Sequence, residues 1–163
     1  MAYYVYNGQV SSGIILNNDS MYVSSGGTAD NTTVNSNGQL YVHGGTATGT
    51  VIEDGGFLGF AVGVGGFIQG TSAGSAFELD LTENHLSGYT IGNGYVEIYS
   101  GGVAEDFAVN DGSLYVYEGG TADNAMVNSN GDVHISSGGK ADNTTVKDWG
   151  YLYVYITYTE SRP

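Results

Sequence analysis

The sequence predicts an all-β fold, a single-stranded right-handed parallel β-helix (β-solenoid) of about eight rungs with 18–19 residues per rung. An apolar marker residue recurs at 18 or 19 residues in both halves of the chain. Between markers, short segments alternate apolar and polar residues, which is typical of half-buried strands, and glycine-rich turns separate them. A period of this size indicates that each unit is one layer of a stack, because no unit buries its apolar face alone.

The marker column sets the domain organisation. Its members are Leu16, Val34, Ile52, Ile91, Val109, Val127 and Val146, separated by 18, 18, 39, 18, 18 and 19 residues. We therefore expect one solenoid domain over residues 1–163 with regular repeats at 8–66 and 91–157. The doubled separation in the middle predicts an irregular rung or an enlarged loop at 67–90.

Two more sets of positions predict the strands of each rung. Small residues precede the marker at Ala29, Ala47, Ala104, Ala122 and Ala141. Paired apolar residues follow it, at Met21 and Val23, Leu40 and Val42, Leu58 and Phe60, Val96 and Ile98, Leu114 and Val116, Val133 and Ile135, and Leu152 and Val154. Because equivalent residues recur in one chain direction, we expect parallel stacking at about 4.8 Å per rung, giving a rod of about 40 Å. The right-handed coil of the β-helix is predicted from the rule that parallel crossover connections are right-handed.

Turn sequences agree with this arrangement. Asn-Gly or Asp-Gly precedes most of the second strands, as at Asn37-Gly38 and Asn130-Gly131. Such pairs supply the positive φ of tight turns, with glycine free of the Cβ penalty. Trp149-Gly150 breaks the pattern in the last unit.

Composition excludes several classes of function. Three Lys and Arg residues stand against 17 Asp and Glu, for a net charge of −14. This field repels phosphate backbones and anionic membranes, so we expect no nucleic-acid partner. No segment has the roughly 18 apolar residues of a membrane helix, so no membrane insertion is expected. The chain has no cysteine, which removes disulfides and thiolate metal sites, and we expect no cofactor.

The repeat resembles a known family. Residues 26–42, which read GGTADNTTVNSNGQLYV, recur in part at 120–124 and 139–146. This pattern is similar to the strand-loop-strand (AIDA-type) repeat of autotransporter adhesin passengers. The resemblance implies a right-handed β-helix at the cell surface or secreted, acting in adhesion, self-association or glycan contact, with a glycan, a cell-surface receptor or itself as partner. Residues 1–10 show neither the basic nor the apolar stretch of a secretory signal, so surface display rests on the resemblance.

The resemblance also implies candidate sugar acceptors, since some passengers of this family are O-glycosylated on Ser and Thr by heptosyltransferases. The outward candidates are Thr28, Thr33, Ser36, Thr121 and Thr145, whereas Thr32 and Thr144 are expected to point inward. The alternative is that these are ordinary strand and turn residues. The chain as an acceptor substrate is therefore an alternative function.

An outward column of the second strand is the candidate ligand-contact stripe. Aligned between the paired apolar residues, it reads Tyr22, Tyr41, Gly59, Glu97, Tyr115, His134 and Tyr153. The contact residues are predicted to be Tyr22, Tyr41, Tyr115, His134 and Tyr153, because flat rings stack on sugars or on a second solenoid. The alternative is that tyrosine suits an exposed strand and stacks on its own neighbours.

A second column carries carboxylates. Asp123 and Asp142 form its best pair for a cation, since stacked carboxylates repel unless solvated or bridged. No calcium-loop motif accompanies them, so no metal site is predicted. Solvated turn residues with asparagine side chains bonded from rung to rung are the favoured interpretation.

An enzyme remains the last alternative. Glu78, Asp80, Glu83 and Asp106 supply carboxylates for a polysaccharide-processing β-helix. The only cations, Lys140, Lys147 and Arg162, lie at one end, and His43, His85 and His134 are far apart in sequence. We expect a non-enzymatic module, because a fold shared with enzymes is a weak argument for activity.

Overall fold

The computed structural model describes residues 1–156, so the predicted repeat end at 157 and Arg162 lie outside the described residues. The described part contains strands and turns and no helix, and hence no helix long and apolar enough to cross a membrane. The strands, in chain order, are β1 Ala2–Val5, β2 Val10–Ser12, β3 Ile15–Leu16, β4 Ser20–Ser24, β5 Thr28–Asp30, β6 Thr33–Val34, β7 Gln39–His43, β8 Thr46–Ile52, β9 Phe57–Val62, β10 Phe67–Ser72, β11 Ser75–Asp80, β12 His85–Ser87, β13 Thr90–Ile91, β14 Gly94–Ile98, β15 Val103–Glu105, β16 Ala108–Val109, β17 Ser113–Val116, β18 Thr121–Asp123, β19 Met126–Val127, β20 Asp132–Ile135, β21 Lys140–Asp142, β22 Thr145–Val146 and β23 Tyr151–Val154.

One sheet runs the length of the described molecule. Its eight strands follow the order β1-β4-β7-β9-β14-β17-β20-β23, and every neighbouring pair is parallel. Each strand belongs to one turn of the chain, which gives a β-solenoid of about eight turns. The predicted fold class is thereby confirmed. We call this sheet the long sheet.

The other faces of the solenoid are divided between its two halves. In the N-terminal half, β2, β5, β8 and β10 stack on one face while β3 and β6 stack beside the end of β8. In the C-terminal half, β12, β15, β18 and β21 form one sheet and β13, β16, β19 and β22 another. Among the strands of residues 1–156, only the long sheet therefore carries pairing directly from one half to the other.

The predicted inward columns form the core. The marker residues pair as Leu16–Val34–Ile52 and as Ile91–Val109–Val127–Val146. All but Val146, in the last rung, are buried. Ala104, Ala122 and Ala141 pair in the same way, and Ala104 and Ala122 are fully buried. At about 25 cal/mol per Å² of apolar surface, these continuous ladders are the main source of stability.

The middle of the chain holds an antiparallel hairpin. Strands β10 and β11 pair from Phe67–Asp80 to Ser72–Ser75 through a two-residue turn in which Ala73 and Gly74 have φ of 47° and 77°. Both values are positive, as in the tight turns that match strand twist. Because β10 stacks on β8, Ile52 pairs with Ser72 and not with Ile91. The hairpin interrupts the marker column, and regular stacking resumes with β12.

The sequence alignment slips by two residues across this hairpin. Leu58 and Phe60 were expected to stack on Val96 and Ile98, but Leu58 pairs with Gly94, and Phe60 pairs with Val96. The prediction was wrong because a strand's side chains alternate with period two, so a shift of two keeps every apolar residue inward. Periodicity alone does not distinguish the two registers.

In the Asn-Gly turns at 37–38 and 130–131, the residue with the positive φ is the asparagine and not the glycine that was predicted. Asn37 and Asn130 adopt the positive φ, 62° in each case, and the glycines after them do not. A Cβ on Gly38 would lie 2.3 Å from the carbonyl oxygen of Leu16 in the previous rung. Glycine is thus required for close approach of two rungs, while asparagine, which tolerates this conformation, makes the turn.

Candidate interaction surface

The outward side of the long sheet carries the predicted stripe, but in two columns. Register places Tyr4, Tyr22, Tyr41, Gly59 and Tyr95 in column A. It places Glu97, Tyr115, His134 and Tyr153 in column B, two residues farther along each strand. The prediction of a single column was therefore wrong, because the register between β9 and β14 differs by two residues from the sequence alignment.

In the N-terminal half the rings of column A stack on one another. The centroids of Tyr4 and Tyr22 are 5.2 Å apart with planes inclined by 11°, and those of Tyr22 and Tyr41 are 4.7 Å apart at 13°. This offset stacking is favourable beyond the burial of area. It covers the ring faces between rungs, so Tyr22, 37% exposed, presents mainly its edge and hydroxyl.

The C-terminal half repeats the arrangement in column B. The rings of Tyr115 and His134 stack at 4.7 Å, and those of His134 and Tyr153 at 4.8 Å. His134 also contacts Asp132 through Nε2 at 2.9 Å and the Tyr155 hydroxyl through Nδ1 at 3.1 Å. The imidazole therefore contacts four side chains. The rings of Tyr115 and Tyr153 cover its two faces, so neither face is free to stack on a ligand.

Gly59 lets the two columns connect. A Cβ there would lie 2.9 Å from the Tyr95 ring and 3.0 Å from the Tyr41 ring. The space is taken by Tyr95, whose centroid is 5.7 Å from Tyr41 and 6.0 Å from Tyr115. The aromatic rings thus form one continuous ladder from Tyr4 to Tyr153, which we call the aromatic ladder.

A polar cluster that sequence reasoning missed lies beside the ladder. Glu97 accepts hydrogen bonds from the hydroxyls of Tyr117 at 2.9 Å and Tyr99 at 3.2 Å. His43 Nε2 lies 3.1 Å from Glu97 Oε2, which brings a third polar side chain to the Glu97 carboxylate. The signal was present in the alternation of Tyr95, Glu97 and Tyr99, which places three side chains on one face.

Burial and hydrogen bonding set the ionisation of this cluster. Partial burial raises the pKa of Glu97, but the opposing contacts with His43 and the two tyrosine hydroxyls outweigh it, and the pKa is lowered overall. Burial first, and then the Glu97 carboxylate, raise the pKa of Tyr99 and Tyr117. The stable state at neutral pH is therefore an ionised Glu97 held by neutral phenols.

The predicted sugar acceptors lie on the outside. Ser36 and Thr145 are exposed, and Thr28, Thr33 and Thr121 are half-buried. Thr32 is fully buried, as expected. Thr144 was also expected to be inaccessible but is half-buried, because it belongs to the last rung among the described residues.

The carboxylate column is occupied by hydrogen bonds from asparagine. Asn124 donates to Asp106 at 2.5 Å and Asn143 to Asp123 at 2.8 Å, each across one rung. Similar asparagine ladders join Asn35 to Asn17 and Asn128 to Asn110. Within the described residues no group of three or more His, Cys, Asp or Glu could hold a metal ion. Asp123 and Asp142 are the last residues of β18 and β21, not the turn residues that were expected.

The carboxylates suggested for an enzyme have local partners. Glu78 accepts from Gln69 Nε2 at 3.2 Å. Asp80 accepts from the hydroxyl and the N–H of Thr82, which lower its pKa. A general acid for glycosidic cleavage needs a raised pKa, so Asp80 is poorly suited to that role.

Comparisons with known proteins address the repeat itself. The family described as adhesin of bacterial autotransporter system, probable stalk, matches residues 2–56, which confirms the resemblance stated for the sequence. Among solved structures, a hyper-glycosylated TibA fragment, its glycosylation catalysed by TibC, is similar with 26% identity and a TM-score of 0.44. The match covers 98% of this chain and 58% of that fragment. No curated protein matches the chain significantly.

Proposed function

Residues 2–56 match the family described as adhesin of bacterial autotransporter system, probable stalk, and from this premise we propose that the chain is a non-enzymatic, adhesin-like repeat module. It acts at the cell surface or after secretion. It contacts a glycan, a cell-surface receptor or a second copy of itself through its outer faces, and needs no cofactor.

The observation that carries this proposal is the continuous long sheet with its aromatic ladder. Most rungs present a tyrosine hydroxyl edge at the spacing of paired strands, about 4.8 Å, with Gly59 and His134 as the exceptions. Each edge offers one weak hydrogen-bonding and van der Waals contact. A partner that is itself repetitive engages several edges at once, so weak contacts combine into useful avidity.

The geometry alters how Tyr22, Tyr41, Tyr115, His134 and Tyr153 would act. Their faces are covered by neighbouring rings, so they contact a partner with edges and hydroxyls rather than by stacking. Contacts of this kind favour a hydrated, hydroxyl-rich partner over a flat apolar one. The net charge of −14 further favours neutral or cationic partners.

The experiment measures binding to cells and self-association together. Replacing Tyr22, Tyr41 and Tyr115 by Ser removes three ladder edges, and we expect cell binding and concentration-dependent light scattering to fall at least tenfold. Replacing Tyr6 by Ser is the matched control, because Tyr6 is 55% exposed and outside the ladder. A wild-type chain that stays monomeric and binds no cell or arrayed glycan would contradict the proposal.

A second candidate, an acceptor substrate for an O-glycosyltransferase, is favoured by the outward placement of Ser36 and Thr145. Co-expression with a heptosyltransferase followed by intact mass measurement tests it. Added hexose or heptose masses that disappear when both residues are changed to Ala would support it. An unchanged mass would exclude it for that transferase.

A further inference from the structure

The hairpin creates a cavity that the regular repeat does not have. It measures about 270 Å³ and lies between the fourth and fifth rungs, under the hairpin turn at Ala73. It exists because β8 pairs with β10 and leaves the outer edge of β13 without a neighbouring strand. The buried core residues Ile52, Leu58 and Phe60 form part of its lining.

One side chain in this cavity is incompletely satisfied. Tyr89 lines it and packs its ring against Phe60, with centroids 5.3 Å apart, and against Phe107 at 6.0 Å. Within the described residues its hydroxyl makes no hydrogen bond. Burial raises the pKa of Tyr89 to about 12, so the group is a neutral donor. Since solvent reaches this hydroxyl, a ligand that enters the cavity can accept its hydrogen bond.

The cavity mouth supplies acceptors. Asn93 donates its Nδ2 to the carbonyl oxygen of Gly56 at 3.2 Å, which fixes the amide and leaves its Oδ1 as an acceptor. The exposed carboxylates of Glu53 and Asp54 lie at the same rim. A phenol donor, amide and carboxylate acceptors and apolar side chains in one cavity together match a ring with hydroxyls on one side and C–H groups on the other.

We infer that this cavity binds one neutral monosaccharide unit, such as the end of a glycan chain. The volume lies just under the roughly 300–1,000 Å³ of sites for drug-sized ligands, which suits one sugar ring and not an oligosaccharide. Glu53 and Asp54 repel acidic sugars, so the site selects hexoses over uronic acids. The inference deepens the glycan-contact part of the proposed function and rests on it.

Two substitutions test the site. Tyr89→Phe keeps the ring and removes the donor, and Tyr3→Phe, at another partly buried tyrosine packed on the core, is its control. Gly92→Leu adds a bulky side chain at the lining of the cavity, where a Cβ at Gly92 meets no atom within 4 Å and the backbone is not left-handed. Ser87→Leu, on an exposed position of β12, controls for added apolar surface.

Binding is measured by titrating methyl glycosides of glucose and galactose, N-acetylglucosamine and glucuronic acid into ¹⁵N-labelled protein. We expect shifts of the amide signals of residues 89–96, a Kd raised roughly three- to tenfold by Tyr89→Phe, and no binding to the Gly92→Leu variant. Glucuronic acid should bind at least tenfold more weakly than glucose at low salt. Neutral sugars that shift no signal, or that bind both variants as the wild type, would overturn the inference.

The outcome separates this inference from the proposed function. Loss of sugar binding in the cavity variants with cell binding unchanged would leave the adhesin module in place and show that cells are contacted elsewhere. Cell binding without any sugar response would overturn the cavity assignment alone. Sugar binding by a chain that neither binds cells nor self-associates would contradict the proposed function and leave the site standing.

Discussion

Thr50 offers the sharpest test of the energetics of the core. Its side chain is fully buried, and its Oγ1 has no hydrogen-bond partner. Replacing Thr50 by Val keeps the shape and β-branching and exchanges the hydroxyl for a methyl group. A buried polar group without a partner costs about 1–3 kcal/mol. The free energy of unfolding should therefore rise by about this amount.

Thr32 is the matched control, one rung away in the same inward column. It is equally buried, but its hydroxyl lies 3.9 Å from Met21 Sδ, a weak acceptor. Thr32→Val loses that contact, so we expect a smaller gain, under about 1 kcal/mol. The difference between the two variants isolates the unsatisfied hydroxyl from the general preference of strands for valine.

The assay is equilibrium unfolding in guanidinium chloride, with the midpoint and slope compared among wild type, Thr50→Val and Thr32→Val. An unchanged slope with a higher midpoint reports a change in stability alone. In thermal melts each kcal/mol should raise Tm by roughly 2–4 °C at this chain length. If Thr50→Val were neutral or destabilising, the hydroxyl would have a partner, and the reasoning would be refuted.

Three further changes have expected outcomes. Trp149→Asn should stabilise the chain by about 1–2 kcal/mol in chemical denaturation, because Trp149 holds a φ of 65°, close to the 62° of Asn37 and Asn130 in equivalent turns; an unchanged midpoint would show no strain there. Gly59→Ala should destabilise by roughly 1–3 kcal/mol, since its Cβ meets the Tyr95 ring at 2.9 Å; a wild-type melt with unshifted Tyr95 ring signals would contradict this. Glu97→Gln should lower stability near pH 7, and the deficit should vanish on acidification. The lowered pKa of Glu97 contributes stability above the ordinary glutamate value that is lost as the pH falls through the folded pKa; a deficit constant from pH 7 to pH 3 would refute the assignment.

Sequence periodicity predicted the stack itself because each rung repeats the same burial requirement. The marker column Leu16–Val34–Ile52 and its C-terminal counterpart pair as the separations indicate. The register across the hairpin was not predictable, since period-two alternation is unchanged by a shift of two residues. Only a contact such as that of Tyr95 with Gly59 distinguishes the two alignments.

The candidate surfaces were predictable to different degrees. The asparagine ladders follow from like residues at one turn position, as Asn128 on Asn110 shows. The Glu97 cluster and the cavity at Tyr89 depend on where the hairpin inserts, and they join residues that no period relates. Sequence repetition therefore predicts what the repeat builds and where it is interrupted, but not the structure of the interruption.

The aromatic ladder allows the central claim to be tested in one measurement, a nuclear Overhauser spectrum of the ring protons in solution. Stacked rungs in this register predict an unbroken walk of cross-peaks from Tyr4 through Tyr22, Tyr41, Tyr95, Tyr115 and His134 to Tyr153, whose successive centroids are 4.7–6.0 Å apart. A spectrum lacking the Tyr41–Tyr95 cross-peak, or lacking cross-peaks between rungs altogether, would contradict in-register stacking along one axis.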